Sequence, residues 1–185
     1  MEGFCKIQRV VLLLVATCLL AACQSKSGAE RAEQEERTRQ RLELLMTMGW
    51  QDAAALSTSS REISPEVRVA ADRIEVLRTH PDGSPRRARA VGNVFVEFQF
   101  DEPGRAICQE AFISEDELIL RGQPLLQRGG SFVEGLDDVT MFYMLGPRLR
   151  VIGRHRVQNQ AEILEAMRKS EASGGAVATG SGAGF

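Results

Sequence analysis

Several residue types that mark a chemical function are scarce in this chain. It has two histidines, one tryptophan and one tyrosine. His80 and His155 stand far apart, with no Cys/His/Asp cluster around either, so no zinc-ligand spacing is present. There is no nucleophile elbow, no phosphate-binding glycine loop and no metal-binding histidine pair. The expected chemistry is therefore binding, not catalysis, and no cofactor is expected. A formal net charge of −2 gives no basic excess to hold nucleic acid. Long apolar runs are lacking too. The one candidate, residues 10–20, is about half the ~20 residues a spanning helix needs.

What is present begins at that run. Lys6 and Arg9 precede it, and Leu20-Ala21-Ala22-Cys23 follows it. The order of basic region, apolar core and small residues is that of a secretory signal. The last four residues resemble the lipobox of bacterial lipoproteins. The resemblance implies cleavage before Cys23, a diacylglyceryl thioether on its sulfur and usually a third chain on the new N-terminus. Two or more acyl chains anchor stably, where one binds reversibly. An ordinary cleaved signal ending in Cys is the alternative. Gln24 stands where many inner-membrane lipoproteins carry Asp, which points to the periplasmic face of the outer membrane, with the inner membrane as the alternative. Cys5 and Cys18 would leave with residues 1–22, so Cys108 remains without a disulfide partner.

The chain downstream divides by composition. Residues 23–60 read as a lipidated leader and helical stalk. Residues 29–48 are rich in helix formers, Leu42, Leu45 and Met46 share a face, and Gly49 is a stop. At 1.5 Å per residue such a helix spans about 30 Å. Residues 61–158 show alternation punctuated by turn signals at Pro81-Asp82-Gly83, Asp101-Glu102-Pro103-Gly104, Gly129-Gly130 and Gly146-Pro147. In the strand 88–100, Ala88, Ala90, Gly92, Val94, Val96, Phe98 and Phe100 fall on one face and Arg87, Arg89, Asn93, Glu97 and Gln99 on the other, with Val91 and Phe95 as exceptions. That alternation is the mark of an antiparallel sheet, apolar on one side. Residues 159–169 hold a short helix, Gln160 to Lys169. Residues 170–185 are Gly, Ala and Ser, a composition that does not repay ordering.

The β region contains a repeat. Ala71-Asp72-Arg73-Ile74-Glu75-Val76, Cys108-Gln109-Glu110-Ala111-Phe112-Ile113 and Leu136-Asp137-Asp138-Val139-Thr140-Met141 align. Each is followed by a longer strand with a central glycine: Gly92, Gly122 and Gly153. A mid-strand glycine marks a bend or a close backbone approach, here at the same place in each unit. Such units bury an apolar face only by stacking on one another. Ile74, Val76, Ala111, Ile113, Val139 and Met141 are expected to line the shared interior from the short strands. Val94, Val96, Phe98, Leu118, Leu120, Leu149 and Val151 are expected to line it from the long ones.

Several of these stretches resemble the OstA-like domain of the lipopolysaccharide-transport proteins, the periplasmic LptA and LptC family. They are residues 71–76, Val91-Gly92-Asn93-Val94-Phe95-Val96, Leu118-Ile119-Leu120-Arg121-Gly122-Gln123-Pro124, Val133-Glu134-Gly135-Leu136-Asp137-Asp138-Val139 and Arg150-Val151-Ile152-Gly153. The likeness covers residues 66–157. It implies an all-β fold, an antiparallel β-jellyroll slab of stacked hairpins. Its interior would be a groove for acyl chains of lipopolysaccharide or another glycolipid, and its end strands would pair with other OstA-like slabs. The resemblance tips the thirteen interior residues towards a lipid groove; composition alone equally permits a plain core. A lipid anchor and stalk depart from the family, whose inner-membrane member has a transmembrane helix and whose bridging member is soluble. The rival reading is a structural envelope lipoprotein that scaffolds a complex by strand pairing, without lipid cargo.

Three further features have ordinary explanations. Arg148, Arg150, Arg154 and Arg156 share one face of the expected last strand. They read as a solvated face, or as phosphate contacts. His155 reads as a hydrogen-bonded core or rim residue, and Cys108 as a small buried one.

Overall fold

The computed structural model describes residues 32–174. The expected signal, Cys23 and the leader up to residue 31 lie outside the described residues, as do residues 175–185. The chain forms two compact units, one ending at Met46 and the other beginning at Thr47. The first carries all but the last residue of helix α1, residues 32–47. Its surface is laced by i,i+4 pairs such as Arg37–Glu33 and Gln40–Glu36, each a marginal stabiliser in water.

The second unit opens with a helix that the sequence reading did not anticipate, α2, Trp50–Leu56. It belongs to the same compact unit as the strands that follow. The Arg68 guanidinium lies 5.4 Å from the centre of the Trp50 ring, and Arg105 donates to the Met48 carbonyl at 3.0 Å. These contacts fasten the segment to the sheet that follows.

That sheet is open, antiparallel and eleven-stranded. Its strands are β1 (Ser59–Ser64), β2 (Val67–Ala71), β3 (Arg73–Thr79), β4 (Pro85–Gln99), β5 (Pro103–Ser114), β6 (Glu117–Arg121), β7 (Leu125–Arg128), β8 (Ser131–Gly135), β9 (Met141–Leu145), β10 (Arg148–Ile152) and β11 (His155–Asn159). The long strands β4 and β5 change partners halfway. Residues 95–98 of β4 pair with β2 on one side and β5 on the other, whereas residues 87–91 pair with β3 and β5. Likewise β5 meets β7 along its first half and β6 along its second. The sheet thus splits into two branches. One runs β1-β2-β4-β5-β7-β8-β11 and the other β3-β4-β5-β6-β9-β10.

The two branches face each other. A single apolar cluster takes Val67, Val69, Val96, Phe98, Ala106 and Leu126 from the first and Ala90, Ala111, Ile113, Leu118, Leu120, Phe142 and Met144 from the second. No strand sequence here can bury its apolar face alone; facing one another, both do.

The chain passes between branches along one edge, and there the repeated glycines sit. Gly92, Gly122 and Gly153 all have positive φ, at 79°, 73° and 107°. Each presses on the preceding crossing: an added Cβ would lie 2.3 Å from Asp72 Oδ2, 2.6 Å from Gln109 Cβ and 2.8 Å from Thr140 Oγ1, respectively. Handedness and lack of room both demand glycine. Side chains tie the crossings together. Asn93 Nδ2 donates to Asp72 Oδ2 at 3.0 Å, Gln123 Nε2 to Asp138 Oδ1 at 2.9 Å, and the buried Thr140 hydroxyl to the Arg154 carbonyl at 2.8 Å.

The last helix, α3 (Gln160–Gly174), starts where expected but runs past Lys169. Five residues assigned by composition to the unordered tail are therefore helical.

Candidate functional site

The interior between the branches is built from cross-strand rows. In one branch the rows are Ile74–Ala90–Ala111–Leu120–Phe142–Val151 and Val76–Ala88–Ile113–Leu118–Met144–Leu149. In the other, Val69–Val96–Ala106–Leu126–Val133–Val157 forms the longest row. Side chains on paired positions lie about 4.5–5.5 Å apart at Cβ, so each row is a continuous apolar stripe. The central members, among them Val96, Leu118, Leu120, Phe142 and Met144, expose none of their surface. Water reaches none of them, and the space between the branches is filled by side chains.

Eleven of the thirteen residues expected in the interior face it. Ile74, Val76, Ala111, Ile113, Leu118, Leu120, Leu149 and Val151 belong to one branch, and Val94, Val96 and Phe98 to the other. Val139 and Met141 do not. Val139 is 82 % exposed, because residues 137–139 form the crossing turn, closed by the Thr140 amide donating to the Asp137 carbonyl at 3.2 Å. Strand β9 begins only at Met141, which points outward with its sulfur 3.4 Å from Arg121 Nε. The inward positions of β9 are Phe142 and Met144. The alignment of residues 136–141 with the other short strands put the parity out by one residue, and one residue reverses every side chain. A Phe142→Ala variant should lose about 3–5 kcal/mol of stability, against less than about 0.5 kcal/mol for Val139→Ala, as measured by urea unfolding.

The arginine row is also divided. Gly153 breaks the expected last strand into β10 and β11, which belong to different branches. Arg148 and Arg150 lie on the outer side of β10. Arg154 sits at the crossing, and Arg156, in β11, stands opposite Glu134 in the ladder with β8. His155 is exposed at the rim, with Nδ1 3.1 Å from the Gly153 carbonyl. Cys108 is buried, its thiol donating to the Glu110 carbonyl at 3.2 Å.

The boundaries of the interior differ in kind. One long edge is closed by the chain crossings. The opposite edge is a seam between hairpin tips. There Arg128, on the inward side of β7, approaches Glu102 Oε2 at 3.4 Å and donates to the carbonyl of Pro147, in the β9–β10 turn of the other branch. Phe98 and Phe100 stack just inside, with centroids 5.4 Å apart. At the β10/β11 end the interior rows finish in Leu149, Val151, Val133 and Val157, the last 61 % exposed. At the β1/β3 end Arg61 stands opposite Val69, on the inward parity of the edge strand. An inward charge on an edge strand discourages pairing, so the two ends are chemically unlike.

A surface hollow of about 200 Å³ lies between the β3–β4 and β5–β6 tips, among Arg78, Arg86, Arg87 and Ser114 to Glu117. Its charges are mixed: Arg87 pairs with Glu117 at 3.2 Å and Glu115 with His80 at 2.6 Å. Acyl chains have no place there. Nearby, the Ser84 hydroxyl and then its amide hold the Asp82 carboxyl below its usual pKa. Among the described residues no group of three His, Cys, Asp or Glu is placed to hold a metal ion. No helix among them is long and apolar enough to cross a membrane. Comparison with family models, with curated proteins and with solved structures returns no match.

Proposed function

We propose that this chain is a lipid-anchored envelope protein of the OstA-like kind. Its jellyroll slab shelters acyl chains of lipopolysaccharide or a similar glycolipid on the way to the outer membrane, and the head groups stay in water. The observation that carries the reading is the pair of facing apolar layers, joined by the chain along one edge and by a side-chain contact at the other. Layers so connected part along the seam without breaking the β ladders. An acyl chain entering there meets Phe98, Leu118, Met144 and Leu149 and replaces contacts among them, at about 0.8 kcal/mol for each methylene taken from water. No reaction is catalysed.

Partner slabs would add to the free edges by strand pairing. The β10/β11 end, apolar inside, suits this better than the β1/β3 end with its inward Arg61. Photo-crosslinking from Leu120 or Val94 in cells, followed by detection of a glycolipid adduct, tests the cargo. Absence of any adduct where a known transporter yields one would overturn the reading.

A second reading is favoured by the dryness of the interior: a closed slab that scaffolds an envelope complex and carries no lipid. Native mass spectrometry of the unacylated protein separates the two by the presence or absence of bound lipid. Either role requires the anchor. Cys23→Ala should move the protein from the membrane pellet to the soluble fraction, and a variant that still sediments completely would refute acylation at Cys23.

A further inference from the structure

The two outer faces of the folded sheet are unlike. On the branch that carries α2, the outward row Ala70–Phe95–Ile107–Leu125 is buried. Among the described residues nothing covers the outer face of β6, β9 and β10, and its composition is not that of an ordinary wet face. Its cross-strand rows are Arg121–Met141–Ile152, Ile119–Tyr143–Arg150 and Glu117–Leu145–Arg148. Leu145 and Ile152 are 45 % and 44 % exposed, and Arg121, Arg148 and Arg150 are exposed. The single acid, Glu117, is neutralised by Arg87. Three strands about 4.8 Å apart thus present a surface of aliphatic side chains and a tyrosine, interleaved with three arginines. The chain as a whole carries a net charge of −2, so the local excess is set against the average.

We infer that this face docks on a bilayer surface bearing anionic head groups. Arginines hold phosphates bidentately and each basic residue near an anionic surface strengthens attachment about fivefold. Tyrosine and aliphatic side chains between them settle into the interfacial zone, where an amphipathic ring is favoured. Charge complementarity selects a membrane over a second copy of the chain, which would bring arginines against arginines. The inference goes beyond the cargo reading and stands without the acyl anchor. Attached by this face, the slab would lie flat, with its seam near the membrane plane.

The test is co-sedimentation of the processed but unacylated chain, residues 24–185, with vesicles of phosphatidylcholine alone or with phosphatidylglycerol. Binding is expected on the anionic vesicles and is expected to weaken with salt. Arg121→Gln/Arg148→Gln/Arg150→Gln should reduce the partition coefficient about a hundredfold at low salt. The same charge loss at Arg154, Arg156 and Arg168 should leave most of the binding. Leu145→Ser/Ile152→Ser should lower it about tenfold with the charge unchanged. No binding to anionic vesicles, or equal losses from both arginine triplets, would overturn the inference. Circular dichroism of each variant shows that the sheet is intact.

Discussion

An Arg128→Ala variant is expected to take up amphiphiles more readily than the native protein. Arg128 sits on the inward side of β7, with its side chain 22 % exposed. It reaches from Glu102 on its own branch to the Pro147 carbonyl on the other. A hydrogen bond from a charged donor contributes about 1.5–3 kcal/mol, which corresponds to a shift of roughly tenfold to a hundredfold in any equilibrium between a shut and a parted seam. Uptake of a fluorescent fatty acid, followed by its change in quantum yield, should rise by about that factor, while thermal stability falls. Lower stability with unchanged uptake would argue for the closed-scaffold reading. The variant thus separates the two proposed roles with one protein. Glu102→Gln should act in the same direction and more weakly, because it loosens Arg128 without removing the bond to Pro147.

The second large effect lies at the opposite edge. Gly122→Ala forces a Cβ to within 2.6 Å of the Gln109 Cβ at a φ of 73°. The left-handed conformation costs about 1–2 kcal/mol for a residue with a Cβ, and overpacking adds about 1–3 kcal/mol. We expect a loss of about 2–5 kcal/mol in chemical denaturation. Gly83 supplies an internal control. Its φ is 86°, yet nothing lies within 4 Å of the Cβ position, so Gly83→Ala should incur only the conformational part. If both substitutions proved equally costly, close packing at the crossings would not be what requires glycine there.

Those crossing glycines were legible in the sequence because their recurrence at intervals of about thirty is independent of side-chain parity. Strand interiors such as Val94–Val96–Phe98 were legible for a different reason: alternation over more than ten residues fixes a face. Short strands carry no such redundancy. Residues 136–141 contain Val139 and Met141, spaced by two as on one face of a strand, but Asp137 and Thr140 close a turn there. A Thr three residues after an Asp, its amide bonded to the Asp carbonyl, is a local turn signal, and the pattern around it outweighs it. Helix α2 is not legible because Gly49 reads as the stop of the preceding helix, whereas the Asp52 carboxylate accepts the Gly49 amide at 3.2 Å and starts a new one. The seam was illegible altogether. Arg128 beside Gly129-Gly130 looks like any solvated turn residue, and its partner Pro147 lies on the other branch, which only the fold brings near.

In each branch, every strand is bonded to the next one in chain order, from β1-β2-β4 through to β11 and from β3-β4 through to β10. The slab is therefore a ruler. Thirty more residues of the same kind would add one hairpin to each branch, lengthening it by about 10 Å at the usual strand spacing, with no existing contact rearranged. Reach, not core volume, is the quantity that gain or loss of a repeat would change.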